Sequence, residues 1–159
     1  MKTKVTIALA VAALGISGVA SAQDVFGDPN SGSIKLEASF PDDPRAIDVT
    51  SGGIINAAKA VEGCTGFISD DPDVRLTFSA DDSPNARPLF ISVRSDEDTT
   101  LVINAPDGRY YCNDDGMNGV NPSIIFGPAQ SGDYEIWVGS FTEGEYHEAK
   151  LDISELRGQ

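Results

Sequence analysis

The stretch Ser33-Ile34-Lys35-Leu36-Glu37-Ala38-Ser39-Phe40 alternates strictly between apolar and polar side chains. Successive strand residues point to opposite faces, so Ile34, Leu36, Ala38 and Phe40 share one face and the segment reads as a half-buried strand. Val74-Arg75-Leu76-Thr77-Phe78-Ser79-Ala80 repeats the pattern. Further strand candidates are residues 46–50, 88–94, 99–104, 109–112, 123–126, 133–139 and 149–154. Turn clusters separate them, among them Pro41-Asp42-Asp43-Pro44, Asp81-Asp82-Ser83-Pro84 and Pro106-Asp107-Gly108. Only residues 54–60 suggest a short helix. About eight to ten short strands with regular turns predict an all-β chain, a jelly-roll-like β-sandwich. Pro106-Asp107-Gly108 predicts a hairpin between strands 99–104 and 109–112. Trp137, in an aromatic-rich strand, is expected to pack in the core.

The N-terminus begins Met1-Lys2-Thr3-Lys4, runs apolar from Val5 to Val19 and closes on Ala20-Ser21-Ala22. A basic start, a short apolar region and an A-x-A site form a signal-peptide pattern, with cleavage after Ala22. Thr6, Gly15, Ser17 and Gly18 interrupt the run, which makes a membrane span the poorer reading. The expected organisation is a signal peptide over 1–22, a flexible leader over 23–32 and one sandwich domain over 33–159. The mature product is expected to be periplasmic or extracellular. Two cysteines, Cys64 and Cys112, follow the cleavage site. An even count in an oxidising compartment implies a disulfide, and the C-x-x-C spacing of a redox pair is missing. Closing a loop of about 49 residues would stabilise the fold by roughly 4 kcal/mol in the chain-entropy picture.

The chain carries 25 acidic and 11 basic side chains, a formal charge of −14. Cleavage removes Lys2 and Lys4 but no acid, so the mature charge is −16. With no basic stripe, a nucleic-acid partner is excluded, and anionic membrane surfaces are disfavoured. Catalytic motifs are scarce. The single histidine, His147, lies in Glu145-Tyr146-His147-Glu148, a polar stretch that reads as a surface loop. Neither a Gly-x-Ser-x-Gly nucleophile motif nor His-Glu-x-x-His is present. The adjacent acids Asp70-Asp71, Asp81-Asp82 and Asp114-Asp115 resemble glycosidase pairs, but turns favour Asp for backbone reasons.

The oxygen-rich cluster is more informative. Asp96, Glu97 and Asp98 precede one strand of the predicted hairpin, and Asn113, Asp114 and Asp115 follow the other. The hairpin brings both segments to one end of the sandwich. Asp96, Asp98, Asn113, Asp114 and Asp115 could there supply oxygen ligands to Ca²⁺, which takes six to eight. The EF-hand spacing is not met, since Gly116 follows Asp115 but no Glu closes the loop. A solvated acidic rim of turn formers is the other reading.

Asp98-Thr99-Thr100-Leu101, Pro106-Asp107-Gly108, Cys112-Asn113-Asp114-Asp115 and Ser131-Gly132-Asp133-Tyr134-Glu135-Ile136-Trp137-Val138, in this order, resemble the bacterial pre-peptidase C-terminal domain. The resemblance is strongest over residues 64–155. It implies a jelly-roll-like sandwich that accompanies secreted peptidases without catalysing, in some relatives binding calcium or extracellular polymers. It also implies the Cys64–Cys112 pairing and carries the acidic hallmarks onto Asp98, Asn113, Asp114 and Asp115. The expected function is an exported, non-catalytic binding or accessory module for an extracellular or envelope protein or polymer, with Ca²⁺ at its acidic loop end. The alternative is a secreted serine-type peptidase, or a peptidase-associated protein, with His147 as base.

Overall fold

The computed structural model describes residues 24–116 and 119–156. Residues 1–23, among them the expected signal peptide, lie outside it, as do Met117, Asn118 and the last three residues. Eleven strands and one short helix follow in chain order among the described residues. They are β1 (Ser33–Glu37), β2 (Arg45–Gly52), β3 (Ile55–Asn56), α1 (Ala57–Ala60), β4 (Phe67–Ile68) and β5 (Val74–Ser79). After these come β6 (Leu89–Arg94), β7 (Thr99–Asn104), β8 (Tyr110–Asn113), β9 (Ser123–Phe126), β10 (Gly132–Ser140) and β11 (Tyr146–Ser154).

The strands build two facing sheets, so the predicted all-β sandwich is present. One sheet runs β2-β11-β6-β9. The other has seven strands arranged around β10. One edge of β10 pairs with β5 and, at Ser140, with β4; its other edge pairs with β7, which carries β8. The strand count exceeds the expected range because β3 and β4 are two-residue strands too short to show any alternation. Pairing of β1 with β5 is parallel, a departure from the antiparallel jelly-roll pattern. The predicted hairpin is there: Ala105 N–H donates to the Arg109 carbonyl and Gly108 N–H to the Ala105 carbonyl, with Gly108 at φ 75°.

Alternation decides what fills the space between the sheets. Leu76 and Phe78 of β5, Leu101 and Ile103 of β7, and Tyr134, Ile136 and Val138 of β10 meet Leu89, Ile91, Leu151 and Ile153 of the other sheet. Thr99–Asn104 is buried almost throughout, which fits a strand covered on both faces rather than one. Its opposite face presents Val102 beside Trp137, and a second cluster of Ala57, Cys64 and Ile68 covers them. Trp137 is fully buried, as expected, but in this outer cluster, with its indole N–H donating to the Asp70 carbonyl at 3.2 Å. The flap over residues 57–70 is stapled to β8 by the expected Cys64–Cys112 disulfide. Gly139 lets the flap settle: a Cβ there would stand 2.7 Å from the Phe67 carbonyl oxygen.

Residues 24–32, expected as a flexible leader, are instead tied down. Asn30 N–H donates to the Pro72 carbonyl and Ser31 N–H to the Asp73 carbonyl, while Arg75 Nη2 donates to the Val25 and Gly27 carbonyls. A polar composition gave no sign of these partners, which come from β5 and the loop before it. Asp73 is the knot between strap and sheet. Its carboxylate accepts the Val138 N–H at 2.7 Å and Asn30 Nδ2 at 3.3 Å.

Two predictions follow from this packing. Replacing Cys64 and Cys112 together by Ala should lower unfolding free energy by up to about 4 kcal/mol in urea titrations, through the freed loop and the loosened flap. Burial pushes the Asp73 carboxyl up to about 6 from 3.8, against the lowering effect of its hydrogen bonds. Between those two pH values the folded state therefore holds a proton that the unfolded chain has released. That stability is fully present below pH 3.8 and is lost as pH rises through about 6, an effect of about 3 kcal/mol. Urea midpoints from pH 4 to 8 should carry this slope in the native chain, and Asp73→Asn should flatten it.

Candidate binding surface at the acidic loop end

The chain crosses between sheets at one end four times, through the connections β2–β3, β6–β7, β8–β9 and β10–β11. Backbone hydrogen bonds weld these loops together. Phe141 N–H donates to the Asp98 carbonyl at 3.2 Å, Thr99 N–H to the Val120 carbonyl at 3.4 Å, and Gly144 N–H to the Gly53 carbonyl at 3.2 Å. Asn121 bridges two of them, accepting from Thr99 Oγ1 at 2.8 Å and donating Nδ2 to the Ser95 carbonyl at 2.6 Å.

This end gathers four of the five residues expected as cation ligands. Leu101 opposite Asn113 puts Asp98, Asp114 and Asp115 beyond the paired ends of β7 and β8. Their charges meet: partial burial raises the Asp98 carboxyl above its usual value, and the nearby Asp115 and Asp114 carboxylates raise it further. Asn113 Oδ1 is buried without a hydrogen-bond partner. Asp96 stands apart. It faces a 390 Å³ hollow on the outer side of the four-stranded sheet with Asp48, Arg94, Glu148 and Lys150. Among the described residues no three His, Cys, Asp or Glu side chains are grouped to hold a metal ion. The carboxylates share an end without converging on a point, as oxygen coordination at 2.3–2.6 Å requires.

Apolar side chains mark the same end. Of the seven large hydrophobic residues exposed among the described ones, Ile54, Val120, Phe141 and Tyr146 belong to these loops or their first strand residue. Gly52 is the cross-strand partner of Tyr146, which ties the Ile54 loop to the start of β11. Sequence reading recognised the acids and overlooked these hydrophobics, because one apolar residue per loop gives no periodic signal. Their convergence is tertiary.

His147 is not on a loop. It sits in β11, and its side chain continues the inward row of Ala149, Leu151 and Ile153. The alternation extends two residues further than the polar sequence suggested. Ser51 is its cross-strand partner, but Ser51 is fully buried and its Oγ makes no hydrogen bond. His147 Nε2 lies 3.4 Å from Glu145 Oε2. A serine without access to solvent and without a bond to the imidazole lacks the geometry of an activated nucleophile.

No family model matches the chain. An uncharacterized protein of Synechococcus elongatus is 29% identical over 124 residues, covering 78% of this chain and 83% of that protein. Among solved structures the chain is similar to the Aeromonas hydrophila PliG, a periplasmic lysozyme inhibitor of g-type lysozyme, at 14% identity and a TM-score of 0.36. That likeness covers 80% of this chain and 98% of the other. No helix among the described residues is long and apolar enough to cross a membrane.

Crowding of like charges makes a thermal prediction. Asp98→Asn should raise the melting temperature at pH 7 in low salt, because the ionised Asp98 is the disfavoured form, and the gain should shrink in high salt. In calorimetry, Ca²⁺ and Mg²⁺ at equal concentration should stabilise the native chain equally, as screening does. A saturable rise specific to Ca²⁺ would instead mark a metal centre.

Proposed function

We propose that the chain is an exported, non-catalytic β-sandwich module whose loop end docks a basic protein of the envelope or the exterior. One observation carries the reading. Four exposed hydrophobics share an end with Glu97, Asp98, Asp114, Asp115, Glu143 and Glu145, and the described residues of those loops hold no Lys or Arg. Apolar anchors ringed by one sign of charge are the make-up of a protein-binding patch, and the sign selects a cationic partner. Export is supported by the signal-peptide pattern and by a disulfide that an oxidising compartment would preserve. Kinship with the pre-peptidase C-terminal domain belongs to the same proposal and is supported by motif order, since its members are accessory modules.

Zero-length coupling of carboxylates to lysines in an envelope extract, followed by mass spectrometry, tests it. The expected cross-links join Asp98, Asp114, Asp115, Glu143 or Glu145 to lysines of one partner. Phe141→Ala with Tyr146→Ala should weaken that partner's binding about 10–100-fold, without change in melting temperature, as loss of exposed anchors does. Glu143→Gln with Glu145→Gln should slow association and flatten its salt dependence. Cross-links confined to other faces, or binding indifferent to both pairs, would overturn the reading.

A further inference from the structure

Far from the loop end, beside the β7–β8 turn, the outer face of the seven-stranded sheet is not covered by the flap. A cleft of about 560 Å³ opens there, lined by Phe26, Arg75, Asn104, Pro106, Asp133 and Glu135 among others. Glu135 forms its floor. In register it lies between Arg75 on β5 and Asn104 on β7. Its side chain is only 8% exposed, yet Oε2 has no hydrogen-bond partner.

The orphan oxygen has a specific cause. Among the described residues two buried carboxylates face an arginine, and they are served differently. Arg94 gives Nε and Nη2 to the two oxygens of Asp152, so both are satisfied. Arg75 gives only Nε, at 2.5 Å to Glu135 Oε1, because its Nη2 is spent on the strap carbonyls of Val25 and Gly27. A bidentate pair is thereby split, and Glu135 Oε2 is left wanting a donor. Nearby Asp133 accepts from Thr77 Oγ1 at 2.6 Å through one oxygen only. Two carboxylates against one guanidinium leave the cleft a net negative charge. Burial raises the Glu135 carboxyl, Arg75 lowers it in part, and Asp133 raises it again.

We propose that this cleft is a binding subsite for a guanidinium group, carried by an arginine side chain of a peptide segment. The planar guanidinium offers several donors in a fork, enough to reach Glu135 Oε2 and Asp133 together. The aliphatic stem of the arginine lies along Pro106 and the ring of Phe26. Phe26 is 90% exposed, so its ring is free to close over the arriving side chain. This site is separate from the loop end, and either assignment can fail alone.

Titration of ¹⁵N-labelled protein with acetyl-Gly-Arg-Gly-amide tests the assignment by amide shifts. Saturable shifts at Gly108, Gly132 and Asp133 are expected, with an affinity on the order of 1 mM. The isosteric citrulline peptide, which is uncharged, should give none. Asp133→Asn, on an exposed position that leaves the fold intact, and Glu135→Gln should each weaken binding about tenfold. Methylguanidinium reports on the source of the cation. About tenfold weaker binding supports a peptide-borne arginine with stem contacts, and equal binding would replace it with a free guanidinium compound. Equal shifts with citrulline, no saturation, or wild-type binding by both variants would overturn the proposal.

Discussion

Strand β10 has no free side, and the rest of the molecule is arranged to meet that condition. Both its edges are hydrogen-bonded, its inward face carries Tyr134, Ile136 and Val138, and its outward face carries Trp137. A sheet with Trp137 and Val102 on its outer face cannot leave that face in water without losing the gain from burying them. The flap over residues 57–70 covers them, and it is too small to hold itself in place. The disulfide to β8, the close approach at Gly139 and the indole bond to Asp70 fix it there. Cover for the outer face is also what limits it. Where the flap ends, the strap from 24 to 32 and the arginine-tied cleft begin.

Buried acids in the sheets show three solutions to one problem. An ionised carboxylate out of water must be paired or hydrogen-bonded. Asp152 is paired at both oxygens by Arg94. Asp73 has no cation in its bonds and relies on neutral donors from Val138, Asn30 and Ser69, which hold it less well, so burial raises its carboxyl to about 6. Glu135 is half paired. The first is a structural solution, the second couples folding to pH, and the third leaves an acceptor for something else.

Much of the fold was legible because alternation is a local property. The runs at Ser33–Glu37 and Val74–Ser79 declare their strands, and Pro106-Asp107-Gly108 declares its hairpin, through neighbours in the chain. The same logic stops short where residues are buried on both faces or strands are two residues long, as at Thr99–Asn104 and β3 and β4. The polar neighbours Glu145, Tyr146 and Glu148 make His147 read as a loop residue. In the fold it continues the inward row of β11. Asp96 and Asp98 are two residues apart in sequence, yet Asp96 lines the hollow on the four-stranded sheet while Asp98 sits beside Asp114 and Asp115.

By itself the sequence determined an all-β sandwich, an export pattern, the disulfide pair and acidic turns on either side of the β7–β8 hairpin. Those follow from spacing and composition, which are read along the chain. Only the tertiary structure decided that Ile54, Val120, Phe141 and Tyr146 meet those acids, and that Asp114 and Asp115 crowd Asp98 without forming a cage. It alone tied the leader down and split the Arg75 fork between Glu135 and the strap. The physical reason is that each of these depends on pairing between residues distant in sequence, whose register is set by burial of two sheets against each other.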